Sequence, residues 1–410
     1  MKIFKIFPAV LLICMLLSLS APAALALEGP QLTAKAALLT DLDSGVVLYE
    51  KNGRDQRSPA SLTKVMTILL TLEAVEKGEA SLDDTVTAGA DCRSGMRDDS
   101  SSVGIVSGES MRLRDLLYCA AVASGNDACN VIASYLGGGI PNFVNRMNTR
   151  AEALGCSQTH FVDPSGLSYD NLTCAYDLVR ITRAAMEHPA FMELCDSVSY
   201  TVPATNLNRS RELNNSNALI STQGIYGASY LYEGAHGVKT GYTRAAGYCL
   251  ISTAERDGMR LLAVVLGCDG PYLSDTDTRY NFVDTARLYD WAFANFSPRT
   301  VFSADQPLFY AEVILAWGDP AVDLLPQQTL RIPLPKDLAP GEEDLRISLY
   351  DEALTAPIET GAVLGRVQLY LDGRELASVP LTAGRDVPLD VPAALQDAFQ
   401  RYFSRIWSES

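Results

Sequence analysis

A hydroxyl and an amine stand three residues apart in Ser61-Leu62-Thr63-Lys64. On a helix, positions i and i+3 share a face, with side chains about 5–6 Å apart. A serine hydroxyl is a poor nucleophile until a base takes its proton. Lysine can be that base only when its pKa falls, through desolvation or a neighbouring cation. A chain of this length offers about one Ser-x-x-Lys by chance from average residue usage. Alone, therefore, the pattern equally describes a helix start with Ser61 as cap and Lys64 in solvent.

Two further clusters carry complementary chemistry. Ser124-Gly125-Asn126 follows the apolar stretch 116–123 and supplies a hydroxyl and a carboxamide at a break between two helices. That suits a proton relay and a hydrogen-bond clamp, although a plain helix-to-helix turn reads the same way. Lys239-Thr240-Gly241 lies on a strand after Gly237. It offers a cation, a hydroxyl and a glycine that clears space for a substrate backbone at the strand edge. Its chance expectation is lower, about one in ten chains of this size from average usage.

The elements that must position these groups are legible in outline. Ala36–Glu50 reads as a hairpin around Asp43-Ser44-Gly45. Ser58-Pro59-Ala60-Ser61 opens a helix that runs to Lys77 and stops at Gly78. Helical segments follow around 113–136, 141–154 and 174–187. A strand begins at Val238, and Gly247–Arg256 with Met259–Gly267 forms a second hairpin around Asp257-Gly258. A helix is expected over Asp275–Asn295. Strands first and last with helices between predict an α+β domain over 30–297, an antiparallel sheet covered by helices. Gly137-Gly138-Gly139 has no Gly-Lys-Ser/Thr after it, so it reads as a helix terminator rather than a phosphate loop.

Composition shifts at Ser297-Pro298. Residues 300–390 show short strands, prolines and turns, including the alternating Val367–Leu371 before Asp372-Gly373, and predict a small β-domain. In the last segment, 392–410, Leu395, Ala398, Phe399, Tyr402, Phe403, Ile406 and Trp407 form one apolar stripe of a helix that starts at Pro392. Large aromatics on a terminal amphipathic helix, with arginines on its flank, predict that 393–410 meets a membrane surface.

The 410 residues allow two or three domains at roughly 150 residues each. With 33 Lys+Arg against 49 Asp+Glu, the formal charge of −16 argues against a nucleic-acid partner held by phosphate contacts. Lys2, Lys5, an apolar run over 6–19 and Ala24-Leu25-Ala26 form a signal-peptide pattern over 1–26, so export is expected. The eight cysteines beyond it, with no C-x-x-C pair, are open to two readings: disulfides, or buried small apolar residues. His160, His188 and His236 lie far apart and match no zinc spacing. No metal and no cofactor is expected.

Together the three motifs resemble those of the penicillin-recognising serine acyltransferases, whose S-x-x-K and K-T-G signatures form a known site pattern. The chain looks most like the low-molecular-mass penicillin-binding proteins, which are serine-type D-alanyl-D-alanine carboxypeptidases. The matching stretches are Ser58–Thr67, Ala123–Ala128, Gly237–Thr243, His160-Phe161 leading to Gly166-Leu167, and Asn215-Ser216-Asn217 before Leu219. The resemblance covers about 30–297, and the β-domain and terminal helix extend it to nearly the whole chain.

The resemblance implies that Ser61 is the acylated nucleophile, Lys64 its base and Ser124 a proton relay. It implies that Lys239 and Thr240 hold the substrate carboxylate, that Gly241 clears the strand edge, and that Asn126 binds the peptide backbone. Backbone N–H groups at Ser61 and near Tyr242 would form the oxyanion hole. The implied partners are a peptidoglycan stem peptide and β-lactams, outside the cytoplasmic membrane or in the cell wall. The chain departs from the family in two places. His236 stands where an acid is common, and Arg279, nearest to the carboxylate-binding arginine, is out of the usual register against Trp291. Alternatives are a D,D-endopeptidase, a penicillin-binding sensor, and a class A β-lactamase. The last needs a glutamate where Ser210 precedes Leu213-Asn214.

Overall fold

The structure, a computed structural model, describes residues 27–223, 227–274, 276–339 and 344–408, with side chains to 404. The expected signal peptide over 1–26 lies outside the described residues. A hairpin opens the fold: β1 (Ala36–Asp41) and β2 (Val47–Lys51) join through a turn in which the Asp41 carboxylate accepts the Ser44 N–H at 2.7 Å. A 3-10 turn, Ala60–Thr63, leads directly into helix α1 (Lys64–Glu76). Nearly all of α1 is buried, which fits its lack of a polar face.

Two short strands, β3 (Thr85–Thr87) and β4 (Ser110–Arg112), pair ahead of α2 (Leu113–Ala121). The helical stretch expected over 113–136 is broken after α2, where Ser124 takes the left-handed conformation at φ 59°. It resumes as α3 (Asn126–Gly137). Gly138, also left-handed, caps α3, as the glycine run suggested. Helices α4 (Ile140–Ala153), α5 (Ala175–Met186) and α6 (Pro189–Asp196) follow, then the strand pair β5 (Ser199–Val202) and β6 (Arg211–Asn214).

Strands β7 (Ala235–Thr243), β8 (Gly247–Arg256) and β9 (Met259–Cys268) complete one antiparallel five-stranded sheet in the order β2-β1-β9-β8-β7. β8 and β9 are buried on both faces, so they read as continuous apolar runs rather than alternating ones. One face carries α7 (Tyr280–Asn295), which starts five residues later than the sequence suggested; the core helices, including α1, cover the other. This is the expected α+β fold.

The chain passes from α7 directly into β10 (Phe296–Phe302) and the β-rich C-terminal part. There follow β11 (Phe309–Ile314), β12 (Ala321–Pro326), β13 (Leu330–Pro335), β14 (Asp344–Leu349), β15 (Leu354–Thr355), β16 (Val363–Leu371) and β17 (Arg374–Ala383). Six of these form one sheet around a separate apolar cluster, and β10 pairs with β13. Asp372 and Gly373 both have positive φ, as a two-residue hairpin turn requires. Helix α8 (Val391–Ser408) closes the chain, its first turn capped by the Asp390 carboxylate. No helix among the described residues is long and apolar enough to cross a membrane.

Candidate active site

Ser61 does not sit on an α-helix. It occupies the 3-10 turn that precedes α1, where side chains at i and i+3 eclipse one another more closely than on an α-helix. Ala60, just before it, is held at φ 49°, a sparsely populated conformation for a residue with a side chain. The outcome for the pair is direct: Lys64 Nζ donates to Ser61 Oγ at 2.8 Å.

Lys64 is wholly buried, yet each of its three ammonium protons has a place to go. Besides Ser61, its Nζ donates to Asn126 Oδ1 at 2.7 Å and to the Ser165 carbonyl at 2.8 Å. Burial pushes its pKa below the ordinary lysine range, and the charges of Asp163 and Asp127 oppose that fall. Lys64 is therefore not a solvated lysine beside a capping serine.

The other motifs converge on the same place. A cleft of about 940 Å³ is lined by Ser61, Ser124, Asn126, Thr240, Gly241 and Tyr242 among others. Gly241 shows why no side chain fits there: a Cβ would stand 3.0 Å from the Pro59 carbonyl oxygen and 3.2 Å from the Ser61 nitrogen. The edge strand β7 thus runs directly against the Ser61 turn. Lys239 is buried beneath this edge, its Nζ donating to the Thr240 carbonyl at 3.2 Å. Burial and, secondarily, the nearby Lys64 charge push Lys239 down to about 7.

Arg279 also borders the cleft, just ahead of α7, with its guanidinium 4.9 Å from the Tyr248 ring centroid. His236, where the family commonly has an acid, instead finds one: its Nδ1 lies 3.1 Å from the Asp196 carboxylate, whose other oxygen accepts the Gly237 N–H at 2.6 Å. The eight described cysteines are all unpaired and buried, which settles their two readings in favour of small apolar residues. Among the described residues, no group of three or more His, Cys, Asp or Glu could hold a metal ion.

The motif reading missed three participants. Ser216 Oγ lies 2.6 Å from Thr240 Oγ1 and joins it at the cleft wall. Ser165 holds Lys64 through its backbone carbonyl, which no residue type could announce. Gly166, at φ 84°, presses against the nucleophile turn so closely that a Cβ would fall 1.8 Å from the Ala60 carbonyl oxygen. Stretches containing Gly166 and Ser216 had drawn notice only by resemblance.

A buried lysine on a serine, beside a strand edge and beneath an α+β sheet, defines the class of serine acyl-transferring enzymes that penicillin-binding proteins represent. The profile of the D-alanyl-D-alanine carboxypeptidase family matches residues 23–270, and that of the penicillin-binding protein 5 C-terminal domain matches 296–389. The D-alanyl-D-alanine carboxypeptidase DacF of Bacillus subtilis is 31% identical over 385 residues, 92% of this chain and 93% of its own. The crystal structure of penicillin-binding protein 5 from Haemophilus influenzae superposes with a TM-score of 0.74 at 30% identity, covering 88% of this chain and 99% of that one. Penicillin-binding protein D2 from Listeria monocytogenes, in its ampicillin-bound form, gives 0.54 at 31% identity over 65% of this chain and 100% of that one.

The chain belongs to the D-alanyl-D-alanine carboxypeptidase family. Its activity is that of a serine-type D-alanyl-D-alanine carboxypeptidase, a hydrolase, as the three motifs led us to expect.

Proposed function

We propose that the chain removes the terminal D-alanine from peptidoglycan stem pentapeptides through an acyl-enzyme on Ser61. Ser61 Oγ attacks the carbonyl carbon between the two terminal D-alanines, and Lys64 Nζ takes its proton. Backbone N–H groups of Ser61 and Tyr242 receive the developing oxyanion. The Ser124 hydroxyl relays that proton from Lys64 to the departing D-alanine amine as the C–N bond breaks, which leaves Lys64 neutral again. Water, deprotonated by Lys64, then adds to the ester carbonyl; Ser61 leaves and regains its proton.

Lys239 and Thr240 hold the substrate carboxylate, with Ser216 behind Thr240 and Arg279 supplying further positive charge at that end. Asn126 clamps the peptide backbone against the β7 edge that Gly241 keeps clear. A β-lactam acylates Ser61 by the same route.

One observation carries this reading: a wholly buried amine, depressed in pKa, 2.8 Å from a cleft-lining hydroxyl. Mass spectrometry after benzylpenicillin treatment tests it. The adduct should map to Ser61, and Ser61→Ala should lose both labelling and D-alanine release while keeping its melting temperature. An adduct elsewhere, or labelling retained in Ser61→Ala, overturns the assignment.

The division of labour follows the sequence: 1–26 directs export, 30–297 carries the chemistry, 300–390 is a β-domain, and 392–410 contacts the membrane from its outer side. The membrane contact is supported by exposure of the apolar stripe. Leu395, Phe399, Tyr402 and Phe403 are each more than half exposed rather than packed on the β-domain.

A further inference from the structure

Lys64 is buried with no carboxylate among its hydrogen-bond partners; two are side-chain oxygens and the third is the Ser165 carbonyl. That carbonyl belongs to a loop with no regular structure, so something must hold it at hydrogen-bond distance. The Asp163 carboxylate does so. Its Oδ1 accepts the N–H groups of Ser165 at 2.7 Å, Gly166 at 2.6 Å and Leu167 at 3.3 Å, and the Ser165 hydroxyl at 3.0 Å. Its Oδ2 accepts the Ser168 N–H and Asn171 Nδ2, each at 2.7 Å. The loop is clasped to α1 from the other side, where Thr67 Oγ1 donates to the Pro164 carbonyl at 2.6 Å. These backbone donations hold the Asp163 carboxyl below its ordinary pKa against the effect of burial, so it carries a full negative charge.

We propose that Asp163 is a positioning residue for acylation: its carboxylate winds residues 163–168 so that the Ser165 carbonyl oxygen fixes Lys64 Nζ on Ser61, and its charge sets the pH at which that amine is free to act. The inference rests on Lys64 being the base. The charged and titratable groups that face Lys64 are few and known: Asp163 from this loop, Asp127 and Cys129 from α3, and Lys239 from β7. Asp127 ties down a different wall, accepting Ser102 Oγ and the Val103 and Ile105 N–H groups. None of those partners belongs to the 163–168 loop.

The test uses purified full-length wild type, Asp163→Asn and Asp163→Ala, with fluorescent penicillin acylation followed from pH 5 to 9. D-alanine release from a stem-peptide mimic and melting curves are measured on the same samples. Asp163→Asn keeps an oxygen for the Ser165–Leu167 side and loses the charge. Removing a negative charge favours the neutral amine, so the acid limb of its acylation profile should move to lower pH. Asp163→Ala, which releases the Ser165 carbonyl, should lose at least tenfold in kcat with little change in KM.

A limb that stays at its wild-type position in Asp163→Asn overturns the proposal. So does activity that falls only in proportion to the folded fraction. If Asp163→Ala does not fold, the position of the Asp163→Asn limb decides alone. Failure of the underlying assignment looks different: wild type itself would then carry its adduct away from Ser61 or show no acid limb.

Discussion

Lys239 gives the sharpest prediction, because burial brings its amine down into the neutral range. Its amine is buried and held down at about 7, so the substrate-free enzyme loses the ammonium as pH rises through that region. If the ammonium is what receives the substrate carboxylate, the enzyme weakens as pH rises. The pH dependence of kcat/KM reports groups in the free enzyme. Each pH unit above the pKa leaves about a tenth of the charged form, so kcat/KM for a stem-peptide mimic should fall about a hundredfold between its plateau and pH 9. If Lys64 is the base, it imposes the opposite limb, since a base must be neutral to accept a proton, and the profile should be a bell.

Unfolding does not mimic the basic limb through Lys239. An unfolded lysine titrates near 10.4, so between about 7 and that value the unfolded chain holds a proton that the folded one lacks. The contribution of Lys239 to stability therefore rises with pH across that window. Lys239→Arg, whose guanidinium stays charged, should lower the plateau and flatten the basic limb. Initial rates of D-alanine release from pH 5 to 9.5, with melting temperatures taken in parallel, provide the measurement. A profile flat from 7 to 9, or a limb unchanged in Lys239→Arg, refutes the reasoning.

Three other outcomes are expected. Gly166→Ala combines a left-handed conformation, costing about 1–2 kcal/mol, with a clash against the Ala60 carbonyl of about 1–3 kcal/mol; thermal melting should drop by about 5–15 °C, with slower penicillin acylation of what stays folded. Asn126→Ala removes one acceptor from Lys64, a charge-assisted bond of about 1.5–3 kcal/mol, and should slow acylation about ten- to hundredfold in a stopped-flow assay. Deleting residues 391–410 should abolish co-sedimentation with anionic vesicles while leaving hydrolysis of a soluble peptide within about twofold; retained vesicle binding would remove the helix from that role.

Local patterns in the chain determined a good deal. Ser61 and Lys64 stand on one face because positions i and i+3 of a helical turn are neighbours. Asp257-Gly258 and Asp372-Gly373 take the positive φ values of a two-residue hairpin turn because glycine adopts them freely and Asp tolerates them, and Gly138 ends its helix in the same left-handed conformation. The period of its apolar residues specified the last helix, whose stripe stays exposed at Leu395, Phe399, Tyr402 and Phe403. Other local expectations drifted: α7 starts late, and the serine lies on a 3-10 turn rather than an α-helix.

Tertiary structure decided whether those side chains could react. Lys64 reaches across 62 residues to Asn126 and 101 residues to a carbonyl at Ser165, and β7 lies against the Ser61 turn only because Gly241 lets it. An amine becomes a base when water is removed from around it and enough polar atoms remain to hold it. Both conditions are set by groups distant in the chain, many of them backbone atoms that carry no residue identity. Spacing could therefore nominate the lysine, but only the packed molecule could lower its pKa and aim it at the hydroxyl.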